Sequence, residues 1–256
     1  MTERMPAVFV GHGSPMNAIE NNEYSNAWSK LGTQIRRPKA ILSVSAHWFT
    51  RGTKITDATR PKVVYDMYGF PEALYRVVYQ PDGSPQIAHE AKSLISDPVE
   101  IDNSWGIDHG TWSVLRRMYP EADIPVFQLS VNAEAGAAAH FKIGRELASL
   151  RHKGVMIFGS GNVVHNLSRI NPGMVGGYPW AFKFDESIKE SILAGQYDNV
   201  MNYRQSGQFA ELAFQTPDHF FPLLYVLGAS DKNDKLTVFN QSCMLGSLSM
   251  TSYLFE

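Results

Sequence analysis

The sequence is poor in cysteine, in long apolar runs and in net charge. Cys243 is the only cysteine among 256 residues, so the chain can form neither an internal disulfide nor a cysteine-rich zinc site. No apolar run approaches the roughly 18 residues of a membrane-spanning helix. The formal net charge is −2, and no run of lysine and arginine stands out. We therefore expect a small-molecule partner, and neither nucleic acid nor a membrane.

The N-terminus lacks the charged stretch followed by an apolar stretch that marks a signal peptide. The expected compartment is a reducing cytoplasm, and we expect a monomer or a small homo-oligomer. The chain is 44% hydrophobic and 19% charged, which is typical of a protein with a sizeable core.

Several common catalytic signatures are also missing. The segment Gly11–Ser14 does not continue into the Gly-Lys-Ser/Thr ending of a phosphate-binding loop, and Gly159–Gly161 lacks the spacing of a nucleophile elbow. Neither His-Glu-x-x-His nor a Gly-x-Gly-x-x-Gly following a strand occurs. We therefore expect no dinucleotide cofactor.

Apolar strand-like runs alternate with helix-like segments along the chain. The strand candidates are Ala7–Val10, Ala40–Ala46, Val99–Asp102, Val126–Val131, Val155–Gly159, Leu236–Phe239 and Leu245–Leu254. The helix candidates are Asn22–Ile35, Gln86–Ile95, Glu134–Leu150 and Phe220–Leu227. This alternation predicts one α/β domain over residues 1–256, with a mostly parallel central sheet covered by helices on both faces. The last two strands are expected to pair antiparallel at an edge, and Pro172–Pro179 is expected to be a surface loop.

The eight histidines fall into two groups. His89, His140 and His152 lie in or just after charged, helix-like segments, so we interpret them as residues on solvated helix faces. The others follow strands or begin helices: His12, His47, His109, His165 and His219. In an open α/β sheet, ligands bind beyond the carboxyl ends of the strands, so these five side chains could share one site.

A single histidine at a strand end is more often a hydrogen-bonded structural residue than a ligand. Five in similar contexts favour a shared site. Neutral imidazole is the commonest metal ligand in proteins, and a nitrogen-rich site suits zinc, iron or another first-row metal. The glycines that flank His12 would leave space for the ligand beside its ring. The pattern therefore predicts a metal site at the strand ends.

Five segments resemble one known family in the same order along nearly the whole chain. They are Gly11–Met16, Ser45–Trp48, Trp105–Gly110, Gly161–Asn166 and Pro217–Leu223. The chain resembles the 4,5-DOPA extradiol dioxygenases, a branch of the class III extradiol ring-cleavage enzymes related to the catalytic subunit of protocatechuate 4,5-dioxygenase.

The resemblance implies a single divalent metal and a role for each of the five histidines. His12 and His47 match the two metal histidines of the superfamily. His165 matches the acid/base beside the metal, which can also be a ligand. His219 stands where protocatechuate-type relatives have a glutamate ligand. His109 matches a histidine near the substrate hydroxyls.

The resemblance also implies the reaction, in which a catechol such as L-DOPA is cleaved with O₂ to a muconic semialdehyde-type (seco-DOPA) product. Fe(II) is expected for ring cleavage, although an all-histidine site could carry Zn(II) on isolation. Asp108 could orient the ring of His109 or cap a helix. Trp48 and Tyr178 are candidate walls of the substrate site.

Two other functions remain open at this point. A zinc-dependent hydrolase could use a metal-bound hydroxide on the same histidines. A non-catalytic protein of the same fold could bind a metal or a small ligand there, because a fold does not by itself set an activity.

Overall fold

An eight-stranded sheet forms the centre of the described chain. The structure is a computed structural model that describes residues 4–256, apart from the side chain of Ser206. Its strands are β1 (Ala7–Gly11), β2 (Ala40–Thr50), β3 (Thr53–Ile55), β4 (Val99–Ile101), β5 (Val126–Asn132), β6 (Val155–Gly161), β7 (Leu236–Phe239), β8 (Cys243–Met244), β9 (Leu248–Ser249) and β10 (Ser252–Phe255). The large sheet has the order β4-β3-β5-β2-β6-β1-β10-β7, and β8 pairs with β9 separately.

The four central strands, β5, β2, β6 and β1, are parallel to one another. β10 and β7 continue the sheet as antiparallel strands beyond β1, which confirms the expected antiparallel edge. On the other side, β3 runs antiparallel to β5 and parallel to β4. Parallel neighbours end at the same edge of a sheet, so the residues that follow β1 and β6 lie side by side.

Helices cover both faces of the sheet, as the alternating pattern predicted. They are α1 (Glu23–Gln34), α2 (Glu72–Tyr75), α3 (Pro85–Leu94), α4 (His109–Met118), α5 (Ala137–Leu147), α6 (Pro179–Leu193), α7 (Tyr197–Met201), α8 (Gln208–Ala213) and α9 (Phe221–Ala229).

The sheet lies between two apolar cores, and the residues of each central strand contribute to them alternately. Val8 and Val10 of β1 pack with Trp28 of α1 and Trp112 of α4 on one face. Ala7 and Phe9 of the same strand pack on the other face, in a core that includes residues of α3, α5, α6 and α9. Successive side chains of a strand point to opposite faces, so one short strand contributes to both cores.

The predicted strand Leu245–Leu254 is wrong as a single element. The segment begins directly after β8, turns sharply and then forms β9 and most of β10. Leu245 has a φ of 50° and Gly246 a φ of 82°, and neither value is compatible with a continuous strand. Pro172–Pro179 is a loop that ends where Pro179 begins α6.

Candidate metal centre

His12 follows directly after β1 at the carboxyl edge of the sheet. Its backbone N–H donates to the carbonyl of Gly161, which ends the neighbouring strand β6, at 3.0 Å. The next residue, Gly13, has a φ of 58°, so the chain turns away at a conformation that favours glycine. This local turn leaves the buried His12 ring at the strand end.

The hydrogen bonds of His12 fix its tautomer. Nδ1 lies 2.9 Å from Oγ of Ser160, and that hydroxyl donates its own hydrogen to the carbonyl of Gly110 at 2.6 Å. Oγ of Ser160 must therefore accept from Nδ1–H of His12. The other nitrogen of His12, Nε2, is then unprotonated and can bind a cation.

His47 lies in an irregular part of β2. Val44 is opposite Leu129 of β5 while Phe49 is opposite Val131, so β2 has extra residues between these pairs. Such a bulge re-aims side chains and is common beside active sites. Nδ1 of His47 lies 3.1 Å from Oδ2 of Asp66 and donates to it. In the neutral ring, Nε2 is therefore the nitrogen with the free lone pair.

The Nε2 atoms of His12 and His47 face each other at 3.3 Å. Two lone pairs at this distance repel unless a proton or a cation lies between them. Two nitrogens bound to one tetrahedral ion at about 2.0–2.1 Å are roughly 3.3–3.4 Å apart. The pair therefore fits a first-row metal ion.

His109 brings a third imidazole to this pair. It is the first residue of α4, and the ligand nitrogens of His12, His47 and His109 all lie within 4.8 Å of one another. Oδ1 of Asp66 accepts from the backbone N–H of His109 at 3.0 Å and also lies 3.0 Å from its Nδ1. One carboxylate thus contacts two of the three histidines.

His219 approaches the cluster from the loop before α9. Its ring centroid lies 5.2 Å from that of His12 and 5.0 Å from that of His47. Nδ1 of His219 donates to Asp218, and its buried Nε2 has no hydrogen-bond partner. A histidine whose Nδ1 is held by a carboxylate is the usual form of a metal ligand.

His165 stacks directly on His219. The two ring planes differ by 4° and their centroids are 3.4 Å apart. Backbone hydrogen bonds fix both stacked residues. The N–H of His165 donates to the carbonyl of Ala213, and the carbonyl of His219 accepts from the N–H of Asn162. A Cβ at Gly161 would stand 2.1 Å from that carbonyl oxygen, so the close approach requires glycine.

Burial keeps most of these imidazoles neutral. It lowers the pKa of His12 and His219 well below the usual value, and neighbouring histidines lower it further. Burial likewise lowers the pKa of His109, and that of His165 to about 4. His47 differs, because hydrogen bonding to Asp66 and nearby carboxylates outweigh burial and raise its pKa. For Asp66, burial opposes ionisation, but His109 and His47 hold its pKa far below the usual range.

The five histidines line one cavity of about 650 Å³. This volume is typical of a site for a small organic ligand. The other lining residues are Gly13, Ser14, Pro15, Asp66, Met67, Tyr68, Phe70, Leu167, Ile170, Gln215, Thr216, Asp218, Leu245 and Leu248. The structure thus brings together every histidine that the sequence placed at a strand end or helix start.

Trp48 and Tyr178, the two residues expected to form walls of the substrate site, do not line this cavity. Trp48 is 3% exposed and does not line the cavity, because successive side chains of an extended strand point in opposite directions and His47 faces inward. Tyr178 is not a lining residue either. Its ring packs so closely on Gly246 that a Cβ added to this glycine would lie 2.6 Å from a ring carbon. Tyr178 therefore supports the turn that carries Leu245.

Asp108 takes one of the two roles expected for it, that of a helix cap. Asp108 caps α4 by accepting from Thr111 and also accepts from Ser45 and Gln128, so it does not orient His109. Asp66 contacts His109 instead. Asp66 lies in a segment without strand or helix periodicity. The sequence therefore gave no sign of its role beyond a single acidic residue among aromatic ones.

Of the three histidines assigned to solvated helix faces, His89 and His152 are exposed. His140 is fully buried and its assignment is wrong. The α5 face that carries it packs on α9, and Nδ1 of His140 lies 2.9 Å from the hydroxyl of Tyr225.

Among the described residues, no helix has both the length and the apolar character that crossing a bilayer requires.

The chain is similar to known ring-cleaving enzymes over nearly its whole length. Residues 6–255 match the family described as the catalytic LigB subunit of aromatic ring-opening dioxygenase. A protein of Escherichia coli K12 named 4,5-DOPA dioxygenase extradiol is 47% identical, covering 97% of this chain and 94% of the relative. A protein of the same name from Beta vulgaris is 37% identical, covering 96% and 95%.

A crystal structure of an uncharacterized protein from Escherichia coli K12 has the same fold. Its TM-score is 0.87 at 42% sequence identity, and the match covers 99% of this chain and 100% of the other. Together with the clustered histidines, the matches identify the chain as a member of the LigB family of extradiol, aromatic ring-opening dioxygenases.

Proposed function

We propose that this protein cleaves the ring of a 4-substituted catechol such as L-DOPA with O₂, next to the diol, to give a muconic semialdehyde-type (seco-DOPA) product. One divalent metal ion is required, Fe(II) for ring cleavage, and Zn(II) can occupy the same site. The observation that carries the proposal is the 3.3 Å contact between the Nε2 atoms of His12 and His47, which face each other while Nδ1 of each ring contacts its own hydrogen-bond acceptor.

His12, His47 and His219 would hold the metal. In each of these rings Nδ1 donates to an acceptor, which leaves Nε2 on the opposite side for the metal. The acceptors are Ser160 for His12, Asp66 for His47 and Asp218 for His219. The metal, when bound, supplies a common attachment point for catechol and O₂ and a path for electrons between them.

His109 is the second candidate for the third ligand. Its ligand nitrogen lies within 4.8 Å of those of His12 and His47. If His109 is a ligand, His219 takes over the contact with substrate. Metal content separates these two arrangements, because only replacement of the ligand lowers it strongly.

His165 is the proton acceptor in this proposal. A catechol must lose at least one hydroxyl proton to bind through both oxygens, so a base within hydrogen-bond reach is needed. Burial lowers the pKa of His165 to about 4, so its imidazole is neutral near pH 7 and keeps a ring nitrogen with a free lone pair. His109 positions a substrate oxygen from the other side, and Asp66 holds His109 in place.

The test starts from metal-free protein loaded with Fe(II) without oxygen and mixed with L-DOPA before air is admitted. We expect a yellow ring-opened product, with one O₂ consumed per catechol. Protein with full Fe(II) occupancy that consumes no O₂ with any catechol would refute the proposal. Chelator-sensitive ester hydrolysis by the Zn(II) form would favour a hydrolase instead.

Histidine variants test the assignment of roles. His12→Gln and His47→Gln are expected to lose the metal by elemental analysis, whereas His165→Gln keeps it and loses turnover. His89→Gln is the matched control, because His89 is exposed on α3, where it pairs with Asp57. Full metal occupancy in both the His12 and His47 variants would contradict the proposed ligands.

A further inference from the structure

Two large apolar side chains stand exposed at the mouth of the histidine-lined cavity. Tyr68 is 90% exposed and Leu167 is 62% exposed, and both line the cavity. Single exposed apolar side chains are common on protein surfaces, but two that border one cavity mark a place where a ligand can cover them. No step of the proposed ring cleavage uses either side chain.

Tyr68 lies at the tip of a short turn whose two ends are held. Met67 and Phe70, on either side of the tip, pack against one of the two apolar cores. The hydroxyl of Tyr75 joins them through two long hydrogen bonds, because it accepts from the N–H of Phe70 at 3.4 Å and donates to the carbonyl of Met67 at 3.5 Å. The exposure of Tyr68 is therefore not that of a loosely attached loop.

The tip of this turn has room to move. Gly69 has a φ of 78°, in the left-handed region that glycine adopts readily. A Cβ added to Gly69 would meet nothing within 4 Å, so the tip lies in open space. The ring of Tyr68 can therefore turn towards the cavity without displacing packed atoms.

Asp66 fixes the position of the turn relative to the metal centre. Its carboxylate contacts Nδ1 of both His47 and His109. Tyr68 comes two residues later, and two residues of chain span at most about 7 Å. A catechol bound at these histidines therefore lies within reach of the tyrosine ring.

We propose that Tyr68 is a positioning residue that packs its ring on the aromatic ring of a bound catechol and closes the mouth of the cavity. The inference rests on the proposed function in taking a catechol as the ligand. Two aromatic rings in contact attract each other, and both lose apolar surface that water would otherwise cover. The ring of Tyr68 makes this contact, and its hydroxyl does not.

Two substitutions separate the ring from the hydroxyl. Dissociation constants for L-DOPA are measured anaerobically by calorimetry with protein loaded with Fe(II) to equal occupancy. Tyr68→Phe should bind within about twofold of native, whereas Tyr68→Ala should bind about tenfold more weakly. Val175→Ala is the matched control, because Val175 is 95% exposed but does not line the cavity. Native affinity in Tyr68→Ala, or equal losses in the two Tyr68 variants, would overturn the proposal.

Unsubstituted catechol tests which part of the ligand is covered. A contact with the aromatic ring is the same for catechol and for L-DOPA. Tyr68→Ala should therefore weaken the binding of both ligands by the same factor, to within about twofold. A loss confined to L-DOPA would place Tyr68 against the amino-acid side chain and contradict the proposed contact.

Proteolysis tests the closure itself. Chymotrypsin cleaves after exposed aromatic residues, and exposed loop tips are preferred sites, so we expect cleavage between Tyr68 and Gly69. The bond after Phe70 resists the enzyme because Pro71 follows. Mass spectrometry then follows this cleavage in Zn(II)-loaded protein, with and without saturating catechol. Catechol should slow it at least about fivefold, and an unchanged rate would refute closure.

Binding and turnover together separate this inference from the proposed function. Tyr68→Ala should raise KM about tenfold and change kcat less than about threefold, since the contact forms as soon as the catechol binds. Weaker binding in Tyr68→Ala combined with no O₂ consumption by the native protein would support the contact and count against ring cleavage. Native KM in a variant that still consumes O₂ would leave ring cleavage intact and refute the role of Tyr68.

Discussion

Replacing Asp66 by asparagine tests how the metal centre is organised. The change removes one charge and turns one carboxylate oxygen into an NH₂ group, with little change of shape. Oδ1 of the asparagine can still accept from the backbone N–H of His109, as Asp66 does at 3.0 Å. The new NH₂ group then faces Nδ1 of His47, where a donor already points.

The conflict between two donors forces a change at His47. Its ring can avoid the conflict by moving its proton from Nδ1 to Nε2. That proton would lie on the atom 3.3 Å from Nε2 of His12, where the metal must bind. Loss of a carboxylate behind a metal-bound histidine typically weakens metal binding by about 10- to 100-fold. The corresponding loss of binding free energy is roughly 1.4–2.8 kcal/mol.

The measurement is competition for Zn(II) or Fe(II) between the protein and a chelator of known affinity. Asp57→Asn is the matched control, because Asp57 also contacts a histidine ring nitrogen, Nε2 of the exposed His89, at 3.0 Å but outside the cavity. The control should keep native affinity. Metal affinity within twofold of native in Asp66→Asn would refute the idea that this carboxylate sets the His47 tautomer.

Two other substitutions test the packing beside the site and the effect of a buried carboxyl group on stability. Gly161→Ala puts a Cβ 2.1 Å from the His219 carbonyl oxygen, so we expect a loss of about 1–3 kcal/mol in unfolding free energy and weaker metal binding. Gly136→Ala, where a Cβ meets nothing within 4 Å, is the control, and equal stability of the two variants would contradict the packing argument. For Asp185, burial raises the pKa from 3.8 to about 6 despite hydrogen bonds from Ser249 and Thr251. The unfolded state then loses this proton first, so the unfolding free energy should fall by roughly 3 kcal/mol between about pH 4 and pH 6. Asp185→Asn should remove that part of the slope in urea unfolding, and an unchanged slope would count against the buried carboxyl as its source.

The sheet and the histidine cluster could both be predicted from one feature of the sequence, its fully apolar strands. Strands such as Ala7–Val10 and Val155–Gly159 are fully apolar because both faces of a parallel sheet are covered, and this pattern is visible without a structure. The residues that follow such strands meet at one edge. His12 and His165 could therefore be placed together although they are far apart in the chain.

Other features depend on contacts that leave no periodic pattern. His140 lies in an Ala-rich helix with charged neighbours, and only the packing of α5 on α9 shows that it is buried. The turn at Leu245 interrupts an apolar run whose composition is typical of a strand. Backbone hydrogen bonds from Asn171 and to Met174 impose that turn, and their positions follow from the tertiary fold alone.

The carboxylates show where sequence reasoning about a metal site reaches its limit. Asp218 precedes His219 directly, so a carboxylate near that ring was visible in the sequence. Asp66 serves His47 and His109, yet it belongs to a segment between β3 and α2 that has no regular structure. The choice of which nitrogen carries the proton, and therefore which nitrogen can bind the metal, is made by these partners. A sequence can list the imidazoles of such a centre, but the atoms available to the ion follow from carboxylate and hydroxyl positions that only the folded chain defines.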